Sequence, residues 1–103
     1  LLEEVGEEPY RVDRMLTQLK LAGKLKEAKG IVLGQFIGCQ AKNPKKSLLL
    51  DEVLKDILLP LKKPVLKNVC FGHGMHKATI PIGVMAEIDG NNCKFYIREE
   101  AVK

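Results

Sequence analysis

Gly30-Ile31-Val32-Leu33-Gly34-Gln35-Phe36-Ile37 is a continuous apolar run rich in β-branched residues. A run of this kind reads as a buried strand, covered on its faces by other elements. The chain on either side supplies the cover. Upstream, Val12, Met15, Leu16 and Leu19 recur at i, i+3, i+4 and i+7, one face of a helix. Pro9 suits its first position, Glu7 and Glu8 suit its positive end, and Gly23 suits its stop, so the helix is expected over residues 9–22. Ahead of it, Leu1-Leu2-Glu3-Glu4-Val5 reads as the end of a strand that turns at Gly6. Downstream, Asn43-Pro44-Lys45-Lys46 reads as a solvated loop and Ser47 as the cap of a second helix. Leu50, Val53, Leu54, Ile57 and Leu58 would form that helix's buried face, and Pro60 its end.

Pro64-Val65-Leu66 begins a third strand. Gly83 to Ile88 and Cys93 to Ile97 read as two more, joined by the hairpin signal Asp89-Gly90-Asn91-Asn92. Val84, Ala86 and Ile88 alternate with Met85 and Glu87 as one buried face requires. Strand–helix–strand–helix–strand followed by a hairpin specifies an α/β domain of two or three layers, with a mixed sheet, two main helices and a C-terminal β-hairpin. The 103 residues suffice for one domain, 1–103, without internal repeats or a linker.

Composition removes several function classes. A net charge of +4, with scattered lysines and only two Tyr and three Phe, does not make a nucleic-acid platform. No stretch approaches the roughly 18 apolar residues of a membrane span. Cys39, Cys70 and Cys93 are an odd set without paired spacing, which fits a reducing compartment. The chain opens on an apolar pair without Met or a secretory signal, as expected of a piece of a longer polypeptide whose first residue already lies in a strand.

Phe71-Gly72-His73-Gly74-Met75-His76, followed by Thr79-Ile80-Pro81-Ile82-Gly83, is the candidate stretch for chemistry, with a tight turn whose histidine faces solvent as the bland alternative. A histidine between two glycines has little bulk around it, and glycine lets another group approach closely. His73 is a good base on a loop clamped by apolar runs. The only serine, Ser47, suits a helix cap better than a nucleophile. A carboxylate could orient His73 by accepting from one ring nitrogen. Glu3 and Glu4 are the candidates, and alternation lets at most one face it. Solvated strand-end carboxylates are the bland alternative. Cys70, His73 and His76 have metal-ligand types and spacing, with Cys39, Cys93 or a carboxylate as a fourth. A Cys–His nucleophilic pair is weaker, because Cys39 and Cys70 sit at ends of apolar strands where a buried thiol is commoner.

The run Leu2-Glu3-Glu4-Val5-Gly6-Glu7-Glu8-Pro9-Tyr10-Arg11-Val12-Asp13-Arg14-Met15-Leu16-Thr17-Gln18-Leu19 resembles the opening of the C-terminal domain of LD-carboxypeptidases. Gly30 to Phe36, Phe71-Gly72-His73-Gly74 and Thr79 to Gly83 continue the resemblance in order. What it implies is a swivelling-type α/β domain that carries the glutamate and histidine of a Ser–Glu–His triad. An N-terminal domain of the same polypeptide would carry the serine and the oxyanion hole. By motif, the histidine maps to His73 and the glutamate to Glu3 rather than Glu4; His76 matches no catalytic position. The implied reaction releases terminal D-alanine from murein tetrapeptide in cytoplasmic cell-wall recycling, without metal or other cofactor. The implied partners are that N-terminal domain and the murein peptide, with no nucleic acid or membrane and with a homodimer left open. The chain alone is expected to be inert, with an apolar docking patch. Two alternatives stand beside this. Immunity peptidases of the same superfamily act on peptide–nucleotide antibiotics, though the compact Glu7-Glu8-Pro9-Tyr10-Arg11 junction argues for the murein enzyme. The other is a small metal-binding or regulatory module.

Overall fold

The structure, a computed structural model, describes residues 1–43, 45 and 49–100. Strand β1 (Leu2–Val5) leads into helix α1 (Pro9–Leu21), a short helix α2 (Lys24–Glu27) and strand β2 (Ile31–Ile37). Helix α3 (Leu50–Leu58) continues as a single-turn 3-10 segment (Leu59–Leu61) and precedes strand β3 (Val65–Leu66). Strands β4 (Ala86–Asp89) and β5 (Lys94–Ile97) close the chain.

The fold is α/β, as the element order requires. Its parallel and antiparallel pairings fall in separate sheets rather than one mixed sheet. β2 lies between β1 and β3, parallel to both, while among the described residues β4 and β5 pair only with each other. The apolar side chains of β2 face two ways. Ile31 and Leu33 join Val12 and Leu16 of α1 and Leu50, Val53, Leu54, Ile57 and Leu58 of α3 in the main core. Val32 points to the opposite face, against Leu66 and Phe71, with Ile88 and Phe95 of the hairpin packed alongside. Burying each large aliphatic side chain contributes roughly 1.5–3 kcal/mol, so the helix side dominates stability.

Helix α1 forms where expected, with Pro9 at its first turn and Gly23 (φ +79) just past its end. The Gly23 amide donates to Lys20 O at 3.0 Å, the bond of a left-handed helix stop. Met15 corrects the helical-face reading: it is exposed, because α3 covers only the Val12–Leu16 stripe. All five residues read as the buried face of α3 are buried. Ser47 lies outside the described residues, as do Pro44 and Lys46; α3 starts after an extended Leu49. The helix ends at Leu58, and Pro60 sits in the 3-10 turn, where its missing N–H costs little.

The hairpin departs further from expectation. β4 starts at Ala86 instead of Gly83, and Ala86 is exposed, so the alternating Val84–Ala86–Ile88 face is not buried as a whole. A two-stranded ribbon touches the body only where its side chains reach, here through Ile88 and Phe95. A cleft of about 820 Å³ opens beside it, lined by Leu1, Val32, Ile80, Ile82 and Ile97 among others. The turn is built on Asp89, whose carboxylate accepts from Asn92 N at 3.1 Å and Asn92 Nδ2 at 2.8 Å. Cys93, expected as a strand start, takes the left-handed position of this turn (φ +53). No helix among the described residues is long and apolar enough to cross a membrane.

Candidate active site

The site sits where β2 changes register. Leu2 pairs with Leu33, yet Glu4 pairs with Phe36, so β2 carries one residue more than β1 across this interval. Leu33 and Phe36, three apart, both pack toward the helices. The bulge leaves Gly34 and Gln35 opposite Glu3. Bulges of this kind re-aim side chains beside them.

On the other side of β2, the chain after β3 keeps following the strand by single contacts. Val69 N donates to Leu33 O at 3.0 Å, Gln35 N donates to Phe71 O at 3.1 Å, and Gln35 bridges Gly72 in parallel. His73 is therefore presented at the strand edge. Its Nδ1 lies 3.1 Å from Oε2 of Glu3. Glu4 is elsewhere: its Oε1 accepts from the amide of Val5 at 2.9 Å. Alternation had left the two acids equivalent, and the structure brings only Glu3 to the histidine.

The glycines around His73 are occupied from inside. A β-carbon on Gly72 (φ +105) would lie 2.7 Å from Glu3 Oε2, and one on Gly74 would lie 1.5 Å from Gln35 Oε1. On Gly34 it would lie 2.7 Å from Phe71 O. Three missing side chains thus let the loop, the strand and the glutamate share one small volume. Glycine was read as room for an incoming group; much of that room already holds Glu3 and Gln35.

Glu3 is about one-third exposed and His73 more than half, at 30% and 59% of the side chain. A carboxylate on Nδ1 accepts the N–H there and selects the tautomer in which Nε2 has a free lone pair. The open imidazole can then take a proton from a nucleophile and hand it on. Such a step needs a nucleophile besides the pair; Ser47, the only serine in the sequence, lies outside the described residues.

Other candidates stay apart. His76 and Cys70 are exposed, whereas Cys39 is fully buried with its Sγ on Ile37 O at 3.5 Å. No three His, Cys, Asp or Glu side chains converge on a metal-sized space among the described residues, so the ligand set of a metal module is not assembled there. Arg11 donates to Tyr10 OH at 3.0 Å and pairs with Glu7 at 3.5 Å, and the Tyr10 contact raises its already high pKa. This cluster shapes the start of α1 without a hydrogen bond to Glu3 or His73 among the described residues. Gln35 was missed by sequence reasoning; its signal was a lone amide within the apolar β2 run.

Residues 1–88 match the family described as LD-carboxypeptidase C-terminal domain. The chain is 44% identical over 90 residues to a putative carboxypeptidase of Synechocystis sp., covering 87% of this chain and 30% of that protein. It is 40% identical over 88 residues to a probable murein peptide carboxypeptidase of Bacillus subtilis, covering 85% of this chain and 28% of the relative. To a murein tetrapeptide carboxypeptidase of Pseudomonas aeruginosa it is 30% identical over 95 residues, covering 92% and 30%. The chain therefore spans less than a third of the length of these curated relatives.

Proposed function

The chain belongs to the LD-carboxypeptidase C-terminal domain family, and on that premise we propose that it supplies the base and its orienting acid to a serine carboxypeptidase. His73 is the general base and Glu3 holds its tautomer. The serine and the oxyanion-binding amides come from an N-terminal domain of the same polypeptide, docked over the exposed face of His73. The substrate is a murein tetrapeptide, cut at its terminal L,D-peptide bond to release D-alanine during cytoplasmic cell-wall recycling. The Glu3–His73 contact carries this reading, and the murein-directed names of the Bacillus and Pseudomonas relatives support the substrate class.

In the reaction, Nε2 of His73 takes the serine proton as the hydroxyl attacks the carbonyl of the L-centre. The imidazolium then returns that proton to the departing D-alanine amine, while Glu3 stabilises the transient positive charge. A water molecule repeats the sequence to free the acyl group.

The test is D-alanine release from murein tetrapeptide. This chain alone should release none. Placed in the Bacillus subtilis relative in exchange for its own C-terminal part, it should restore turnover, and His73→Ala in that chimera should remove it. Turnover by the isolated chain, or an active His73→Ala chimera, would refute the assignment.

A further inference from the structure

Gln35 touches the histidine loop on both sides of His73. Its amide donates to Phe71 O and its backbone bridges Gly72. Its side chain fills the space that any side chain at position 74 would need. One residue thus holds positions 71, 72 and 74.

The carboxamide is also oddly placed. Its Oε1 is buried and has no hydrogen-bond partner among the described residues. An amide oxygen is costly to bury unpaired, and native proteins keep few such atoms. A methionine would fill a similar length at no such cost. What the side chain supplies to the loop is therefore its bulk against Gly74.

We infer that Gln35 is a positioning residue that sets the turn of the His73 loop and thereby keeps Nδ1 facing Glu3. The inference deepens the proposed function and rests on it, since a fixed imidazole matters only if His73 moves a proton. Backbone pairing alone fixes the loop up to Gly72. The amide packed on Gly74 fixes the far side, and together they leave the imidazole one orientation.

The test is nitrogen-15 spectroscopy of the His73 imidazole in this chain, whose two ring shifts read the tautomer, with chemical denaturation in parallel. In Gln35→Met the denaturation midpoint should hold or rise, because the unpaired acceptor is gone. The ring shifts should stay those of one tautomer, since methionine keeps the packing on Gly74, whereas Gln35→Ala, which removes that packing, should average them between two tautomers. Gly74→Ala should lower the midpoint through collision with Oε1. The double variant Gly74→Ala/Gln35→Ala should recover the midpoint without recovering the single tautomer. A single tautomer retained in Gln35→Ala and in the double variant overturns the inference. Should Gln35→Ala not fold, the double variant decides alone. Glu3→Gln separates the two levels. If it leaves the tautomer unchanged, the Glu3–His73 reading itself fails. If it mixes the tautomers and Gln35→Ala does not, only the role of Gln35 falls.

Discussion

Gly72 is glycine because Glu3 stands where its side chain would be. A β-carbon there would meet Oε2 at 2.7 Å and Cβ of Glu3 at 3.2 Å, on a backbone already at φ +105. Gly72→Ala should therefore act twice, through the strained backbone and by pushing the carboxylate off His73. A loss of ~1–3 kcal/mol is expected for the backbone conformation alone. Denaturant unfolding should show the loss, and the His73 ring should lose its fixed tautomer.

Glu3→Gln should spare the fold. Glu3 is partly exposed and its oxygens hydrogen-bond only His73 among the described side chains, so the change in stability should stay within about 0.5 kcal/mol. In the chimera its effect on turnover should be large. Losing the carboxylate that fixes a triad histidine lowers kcat by up to about 10⁴-fold. The split between an intact unfolding curve and a collapsed kcat is the measurement.

Asp51 ties α3 to the segment after β3. Its carboxylate pairs with Lys55 at 2.9 Å and with Lys67, and these contacts, Lys67 first, hold its pKa down to about 2 from 3.8. A depressed folded-state value means that the contribution is present above pH 3.8 and is lost as pH falls toward 2. Unfolding measured from pH 5 to pH 2 should show this loss, and Asp51→Asn should flatten it. Because the pairs are exposed, added salt should shrink the difference.

Lys63 caps carbonyls that α2 leaves open. Its ammonium donates to Leu25 O at 2.9 Å and also to Lys26 O and Ala28 O. Three donors on three backbone acceptors at a helix C-terminus use the full capacity of the group. Lys63→Met keeps the stem and removes the head. It should cost ~1.5–3 kcal/mol in chemical denaturation, leaving the His73 ring signals unchanged.

Periodicity located the strongly buried elements, since burial is what it encodes. The five apolar positions of α3 and Ile31, Val32 and Leu33 of β2 lie in the core as their spacing required, while Ile37 at the end of the run is exposed. Met15 did not, because helix periodicity marks a stripe but not how wide the covering helix is. The hairpin misled for a related reason: alternation defines two faces, and whether either is covered depends on what stands opposite. The histidine was legible from its flanking glycines. The choice of Glu3 over Glu4 came only through a family resemblance, since the deciding bulge in β2 depends on pairing partners that no local pattern records. Gln35 lay in plain view in the run that located β2, and its contact with Gly74 exists only once two distant segments meet.

The order of β1, β2 and β3 has a kinetic meaning as well. Glu3 and His73 are seventy residues apart and face each other across a central strand paired to both flanks. Every contact that joins them is non-local, and such contacts form late because long chain loops must close first. The pair can exist only after β1, β2 and the loop beyond β3 have all been made and docked. During synthesis the glutamate waits unpartnered until the ribosome has passed the histidine, so the Glu3–His73 contact marks a completed sheet and not a helix-rich intermediate.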